Sequence, residues 1–424
     1  VPWALAALIA GCAGDTGSAG SGRAQVADSA GIRIVRNGDV GLWGAAPPVV
    51  TEVLRIGVID GDERYQFHEV YSLAVDAEGR IFAGNNQTGS VRAFDSAGAF
   101  LAEFGRRGRG PGEFIMVNVV WLAGDSVVVT DWQGAGRTAL FTKDGQLVDT
   151  WIATRADGSH VSIEGFGPGG WIAGHRPRWA QPPLESGEPW VQNYTLRRFD
   201  AATDSVGDVV YTLPPYVLYG SGAAEGVDWA LFTRNAGYAF DARGNFFISE
   251  GQDYRIDIYD DSGRWLRSIR RAFEPRPIGP SDIDELKALV TERNDTIQPT
   301  ATRNPRRELE SVLRRIDTQA TFPIPSFQAP LGNLLVSHDG SFWVERADLA
   351  PPARVEFERL YGGFDRGQPR STRWDLYDAT GQFLATVDLD TRFTPMAVRG
   401  TTVTGVLKDE LDVEYIVSYA VAPG

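Results

Sequence analysis

Leu73 to Gly105 read LAVDAEGRIFAGNNQTGSVRAFDSAGAFLAEFG, and this stretch decides the fold. LAVD and RIFAG flank the turn Ala77-Glu78-Gly79. The loop NNQTG leads to SVRAFD, and the turn Ser96-Ala97-Gly98 leads to AFLAEFG. Alternating apolar residues between glycine turns predict four short antiparallel strands. One such sheet cannot bury both of its faces alone, so it must repeat or pair.

It repeats. VVWLAGDSVVVTDWQGAGRTALFTKDGQLVDTWIA (119–153) matches strand for strand. The approach segments match too: Phe67 and Val70 correspond to Phe114 and Val117, each pair 47 residues apart (114 − 67 and 117 − 70). A third copy starts near IEGFGPGGWIAGHR, breaks at a Pro-rich loop near Gln181 to Pro189, and resumes as NYTLRRFDAATDSVGDVVYTL. The fourth is YAFDARGNFFISEGQDYRIDIYDDSGRWLRSIRR (238–271). The fifth is LLVSHDGSFWVERADL with STRWDLYDATGQFLATVDL. The sixth and weakest is MAVRGTTVTGVLKDELDVEYIVSYAV (396–421). Six four-stranded units predict a six-bladed β-propeller, an all-β fold in which radial packing buries both faces of every sheet. VVTEVLRIG (49–57) is a strand outside the six units. It is expected to pair into the last blade and close the ring, and GIRIVRNG (31–38) is a further candidate for that closure.

The strand, the Asp-x-x-Gly turn, the Phe-Asp-x-x-Gly turn and the linker GRGPGEF of the first unit resemble an NHL-type repeat. The chain from about residue 30 to 424 is similar to the NHL-related six-bladed β-propeller lipoproteins of bacteria. The likeness is close in units one, two and four and weak in three and six. It implies the fold and no single function, because propellers host many.

Residues 279–318 depart from the repeat. Ser281 is the expected N-cap of a first helix, with Ile283, Leu286, Leu289 and Val290 on one face. Asn304 should cap a second helix that opens on Pro305, with Leu309, Val312, Leu313 and Ile316 as its apolar stripe. This small helical insertion falls between blades four and five. Two readings stay open: a lid over the axial pocket, or a decoration packed on the rim.

The N-terminus carries a different signal. WALAALIAG (3–11) is too short to cross a bilayer and suits a signal h-region. Ile9-Ala10-Gly11-Cys12 resembles the bacterial lipobox, and Cys12 is the chain's one cysteine. Residues 1–12 are then a lipoprotein signal peptide, Cys12 carries the lipid, and 13–30 form a flexible tether. The propeller would occupy 31–424. The expected place is the bacterial envelope, in the periplasm or at the cell surface, with the membrane met by the lipid alone. No disulfide can form within the chain.

With 43% hydrophobic and 23% charged residues, the chain has ample material for a core. Its net charge of −14 disfavours nucleic acid as a partner. The expected partner is a protein or a small polar ligand, bound by a monomer.

Aligning the units puts a polar residue at the end of each second strand: Asn85, Asp131, His175, Glu250, Glu345 and, less regularly, Lys408. Asn86, Trp132, Arg176, Asp253 and Arg346 neighbour them. Such residues could ring one mouth of the channel and hold a polar ligand. They could equally cap their own loops by accepting backbone N–H groups. Arg106, Arg107 and Arg109 in FGRRGRGPGEF could grip a carboxylate or phosphate. No cofactor is firmly implied, and a divalent cation such as calcium is the candidate. His68, His160, His175 and His338 are the only histidines and do not converge in the alignment. Resemblance to lactonase-type propellers would offer Glu69, Asn118, Asn193 and Asp253 as ligands of such an ion, though no spacing selects them. Trp132, Trp179, Trp190 and Trp229 fall in expected loops and could stack on a ligand. Three functions remain: a non-enzymatic binding propeller, a metal-dependent lactonase- or lyase-like enzyme at the channel mouth, or a purely structural part of an envelope assembly.

Overall fold

The computed structural model describes residues 22–132, 136–176, 188–220, 227–228, 230–232, 237–251, 253–295, 304–323, 325, 328–329, 331–361 and 371–424. Cys12, Trp179 and Trp229 lie outside them.

Six blades of four antiparallel strands follow one another along the chain, the fourth widened to six strands by two from the N-terminus. Blade one is Leu73–Val75, Ile81–Asn85, Ser90–Phe94 and Phe100–Phe104. Blade two runs from Val119–Ala123 to Leu147–Ile152, and blade three from His160–Gly167 to Ser205–Thr212. Blade four runs from Gly237–Phe240 to Trp265–Arg271, and blade five from Leu331–Val336 to Phe383–Asp388. Blade six takes Phe393–Arg399, Thr402–Lys408 and Glu414–Ala422 from the C-terminus and Val49–Ile56 as its outermost strand. The register from Val49 opposite Ala422 to Ile56 opposite Ile416 closes the ring as the sequence predicts.

Burial shows why the ring has six members. Each pair of neighbouring blades shares one apolar cluster. Phe82 and Val91 meet Val127 and Phe141 between blades one and two. Val128 and Trp151 meet Val161 and Phe199 between two and three. Ile172 and Leu196 meet Phe246 and Ile248 between three and four. Ile256 and Ile258 meet Phe342 and Tyr377 between four and five. Trp343 and Trp374 meet Phe393 and Val417 between five and six. Val406 and Ile416 meet Ile81 and Phe94 between six and one. At roughly 1.5–3 kcal/mol per fully buried large side chain, these interfaces are what holds the blades together.

GIRIVRNG does not join the closure. Ile32–Asn37 lies parallel to Trp265–Arg271, the outer strand of blade four, and pairs with Gln25–Ser29. That strand falls inside the stretch expected to be tether. Side chains explain the placement. Val35 is buried in the cluster between blades four and five. Asn37 donates to Gly381 O at 2.9 Å and accepts from Phe383 N at 2.8 Å.

Among the described residues, three α-helices interrupt the sheets. The first, α1 (Pro280–Asp295), and the second, α2 (Pro305–Gln319), match the expected insertion. Asn304 accepts from Arg307 N at 3.2 Å, as a cap should. Ser281 is not the cap of α1. Gly279 N donates to Asp282 Oδ2 at 2.8 Å instead, so the helix starts one residue before Ser281. The third helix, α3 (Pro352–Tyr361), was not anticipated. It fills the connection between the second and third strands of blade five. Leu286, Val290, Ile316, Ala353 and Phe357 pack the three helices onto Leu231 and Phe232. Because α1 touches α3, the insertion lies on the end of the ring that carries the second-to-third-strand loops.

Candidate functional site

The strand-end residues occupy the helix-bearing end but form separate groups. Asn85 is fully buried. Its Oδ1 accepts from His68 N at 3.3 Å, and its Nδ2 has no partner. Asn86 accepts from Val117 N at 2.7 Å, and Arg107 donates to the Asn86 carbonyl at 2.5 Å. Asp131 Oδ2 accepts from Ile115 N at 2.7 Å, and Asn118 Oδ1 accepts from Trp132 N at 2.7 Å. Glu345 is fully buried, and its two oxygens accept from Asn333 N at 2.9 Å and Ser371 N at 2.7 Å. These carboxylates and amides fasten incoming chain to the second strand, each satisfying a backbone donor that would otherwise be stranded.

The charged neighbours pair locally. Glu250 and Asp253 are exposed and lie 3.4 and 4.0 Å from Arg255. Lys408 meets Glu414 at 3.5 Å. Arg346 belongs to a buried network between blades four and five. Asp375, fully buried, accepts from Arg271 at 2.5 Å, Arg346 at 3.2 Å and Tyr254 at 2.5 Å, and Arg346 also pairs with Asp348. Arg106 pairs with Glu113, while the side chain of Arg109 is exposed.

His175 and Arg176 end the second strand of blade three and are half-buried. Burial first, then the Arg197 charge, lowers the His175 pKa. His160, opposite Arg176 in the sheet, is lowered by burial and by that arginine. Glu69 and Asn118 sit in the connections entering blades one and two, far along the chain from Asn193 and Asp253. Trp190 lies in the short strand Pro189–Gln192 rather than a loop, and Trp132 remains partly exposed. Among the described residues, no three His, Cys, Asp or Glu side chains are placed to hold one metal ion.

The axis of the ring holds a feature that the strand alignment did not single out. A cavity of about 240 Å³ is walled by the first strands of the six blades, including Leu73, Val120, Ala239, Leu335 and Met396. It reaches the turns after the first strands, where Asp241 and His338 line it. His338 is therefore on the end away from the helices, as its place in the SHDG turn predicted. Among the described residues, none of α1, α2 or α3 lines the cavity.

One lining residue stands apart chemically. Glu164 is the acidic residue on the first strand of blade three, and the other five first strands carry none. It is also the extra residue of a β-bulge: Ile163 faces Ala173, Gly165 faces Ile172, and Glu164 faces nothing. Bulges re-aim side chains, often beside functional sites. Here Ser162 and Tyr194 donate to Glu164 Oε1, the latter at 2.9 Å, and Tyr238 stands 3.5 Å from the Tyr194 hydroxyl. Gly174 makes room for this group, because a Cβ there would fall 1.8 Å from the Tyr194 oxygen. Among the described residues no cation answers Glu164, and burial pushes its pKa up despite the three hydroxyls. Burial and the Glu164 charge likewise raise Tyr194. Asp241 is raised by burial, although its oxygens take Arg243 N, Asn245 N and the Asn245 side chain.

No family model matches the chain, and no curated protein matches it. Solved structures do. A protein from Bacteroides fragilis NCTC 9343, named for its inferred export, is 10% identical with a TM-score of 0.48, over 92% of this chain and 99% of that one. A member of the duf4221 family from Bacteroides vulgatus is 9% identical at 0.47, over 95% and 99%. Virginiamycin B lyase from Staphylococcus aureus is 10% identical at 0.39, over 88% and 100%. Likenesses this distant say nothing about activity. The six-bladed arrangement rests on the chain's own sheets.

Proposed function

We propose that this chain is an exported, lipid-anchored binding propeller of the NHL-like kind, holding a small ligand in its axial cavity. The supporting observation is the cavity itself: about 240 Å³ at the ring's centre, lined mostly by apolar residues, with Asp241 and Glu164 on the wall and a hydroxyl escort on the latter. Pockets that bind small molecules combine apolar walls with a few placed polar groups. The strand-end carboxylates argue in the same direction, because their oxygens already serve backbone N–H groups. The lipid anchor is read from Cys12 and the apolar run before it.

Thermal shift of the full chain against a panel of small molecules and divalent ions tests the reading. A ligand present at a hundred times its Kd should stabilise the protein by about 2.7 kcal/mol. The variant Ala239→Phe, which fills the cavity, should erase that response. A response to divalent ions alone would favour the lactonase- or lyase-like alternative. Separately, Cys12→Ala should release the protein from the membrane fraction, and retention there would remove the anchor from the account.

A further inference from the structure

We infer that the axial cavity selects a small organic ammonium ion with an apolar body, its nitrogen received by Glu164. The inference rests on the reading of the cavity as a ligand site and adds the chemical class of the ligand.

Three observations carry it. First, the charged or titratable side chains that line the cavity are Glu164, Asp241 and His338, with no Lys or Arg among them. The chain as a whole carries −14. An anion would meet carboxylates on both sides and no countercharge. Second, Glu164 is a carboxyl held at the cavity wall by neutral groups. The bulge takes it out of the ladder, Ser162 and Tyr194 both donate to Oε1, and Tyr238 sets a third hydroxyl against it. Asp241 differs, since its own turn occupies both oxygens. Third, the walls suit a cation carried on apolar carbon. Trp121 and Phe240 are among the lining residues, beside aliphatic Leu73, Val120 and Leu335. Aromatic faces attract ammonium groups most strongly where water is excluded. A cation offsets the cost of ionising the buried carboxyl, which a neutral ligand does not do.

A consequence is proton release. The groups facing Glu164 are Ser162 on its own strand, Tyr194 at the third strand of blade three, and Tyr238 on blade four, none of them cationic. In the empty cavity, burial makes the Glu164 carboxyl hold its proton to higher pH than an exposed glutamate would. An incoming ammonium ion favours the carboxylate, so the carboxyl proton leaves to solvent as the ion pair forms. Affinity should therefore strengthen as pH rises through the carboxyl's titration.

Benzylamine, benzyl alcohol and benzoate are the probes, titrated calorimetrically into the full chain in two buffers of different ionisation enthalpy. Benzylamine should bind roughly tenfold or more tightly than benzyl alcohol, with proton release, and benzoate weakest. Glu164→Gln should cost benzylamine roughly tenfold or more and leave benzyl alcohol unchanged, and Tyr194→Phe should cost benzylamine roughly threefold. If benzyl alcohol binds as tightly as benzylamine and Glu164→Gln alters neither, the ammonium inference fails while the cavity reading stands. If none of the three binds at millimolar concentration, both fail. Circular dichroism checks the fold of Glu164→Gln. Should that variant not fold, the order of the three probes on the wild type decides: benzyl alcohol or benzoate binding as tightly as benzylamine overturns the inference.

Discussion

The acidic and amide residues at the ends of the second strands and the glutamate on the axis sit in one ring under opposite circumstances. Asp131 and Glu345 recur by position, and backbone N–H groups meet their oxygens. Glu164 recurs nowhere, sits on a bulge, and is met by hydroxyls rather than by backbone or cation. The difference teaches that a polar residue repeated at one place in every blade belongs to the scaffold, where each blade has the same stranded donors to satisfy. A polar residue that breaks the repeat has no such duty and still carries the cost of burial.

If that contrast holds, variants should sort by it. The largest effect belongs to the scaffold network. Asp375→Ala leaves Arg271 buried without a carboxylate and Arg346 with Asp348 alone, and should destabilise the chain by about 3–5 kcal/mol in chemical denaturation. Glu345→Ala strands the Asn333 and Ser371 N–H groups and should cost about 2–4 kcal/mol, read the same way. Glu164→Gln should go the other way. A carboxyl whose pKa in the folded chain is raised above its ordinary 4.5 gives stability that is complete below 4.5 and lost as pH climbs through the raised value. The glutamine does not titrate, so the variant should match the wild type near pH 4 and exceed it increasingly towards pH 8. A constant difference across that range would mean Glu164 is not titrating where its burial puts it. The smallest effect is expected at Arg109→Ala, whose exposed side chain should leave stability within about 0.5 kcal/mol.

Most of the scaffold was legible because its signals are local. Alternation between glycine turns marks the strands of blades one, two and four, and Asn304-Pro305 announces α2. The closing strand Val49–Ile56 could be placed because the sixth unit lacked a fourth member. Ile32–Asn37 was less readable, since its position depends on Asn37 meeting the Phe383 turn more than three hundred residues away. The helix α3 left a trace in Pro352 and in the spacing of Ala353, Phe357 and Leu360, but a loop was expected between those strands. The ring of second-strand ends was found as positions, while their bonding was not, because each acceptor's partner lies on the neighbouring connection. Glu164 was hardest. A bulge shifts one residue out of register without altering the apolar pattern around it, so only comparison of the six first strands, five without an acidic residue, could have drawn attention to it.

A crystal structure of the full chain with benzylamine bears most directly on the account. The ammonium nitrogen should lie about 3 Å from the Glu164 carboxylate, with the ring beside Trp121 and Phe240 inside the six first strands. Density for the amine among the second-strand ends beneath the helices, with the axis empty, would contradict it.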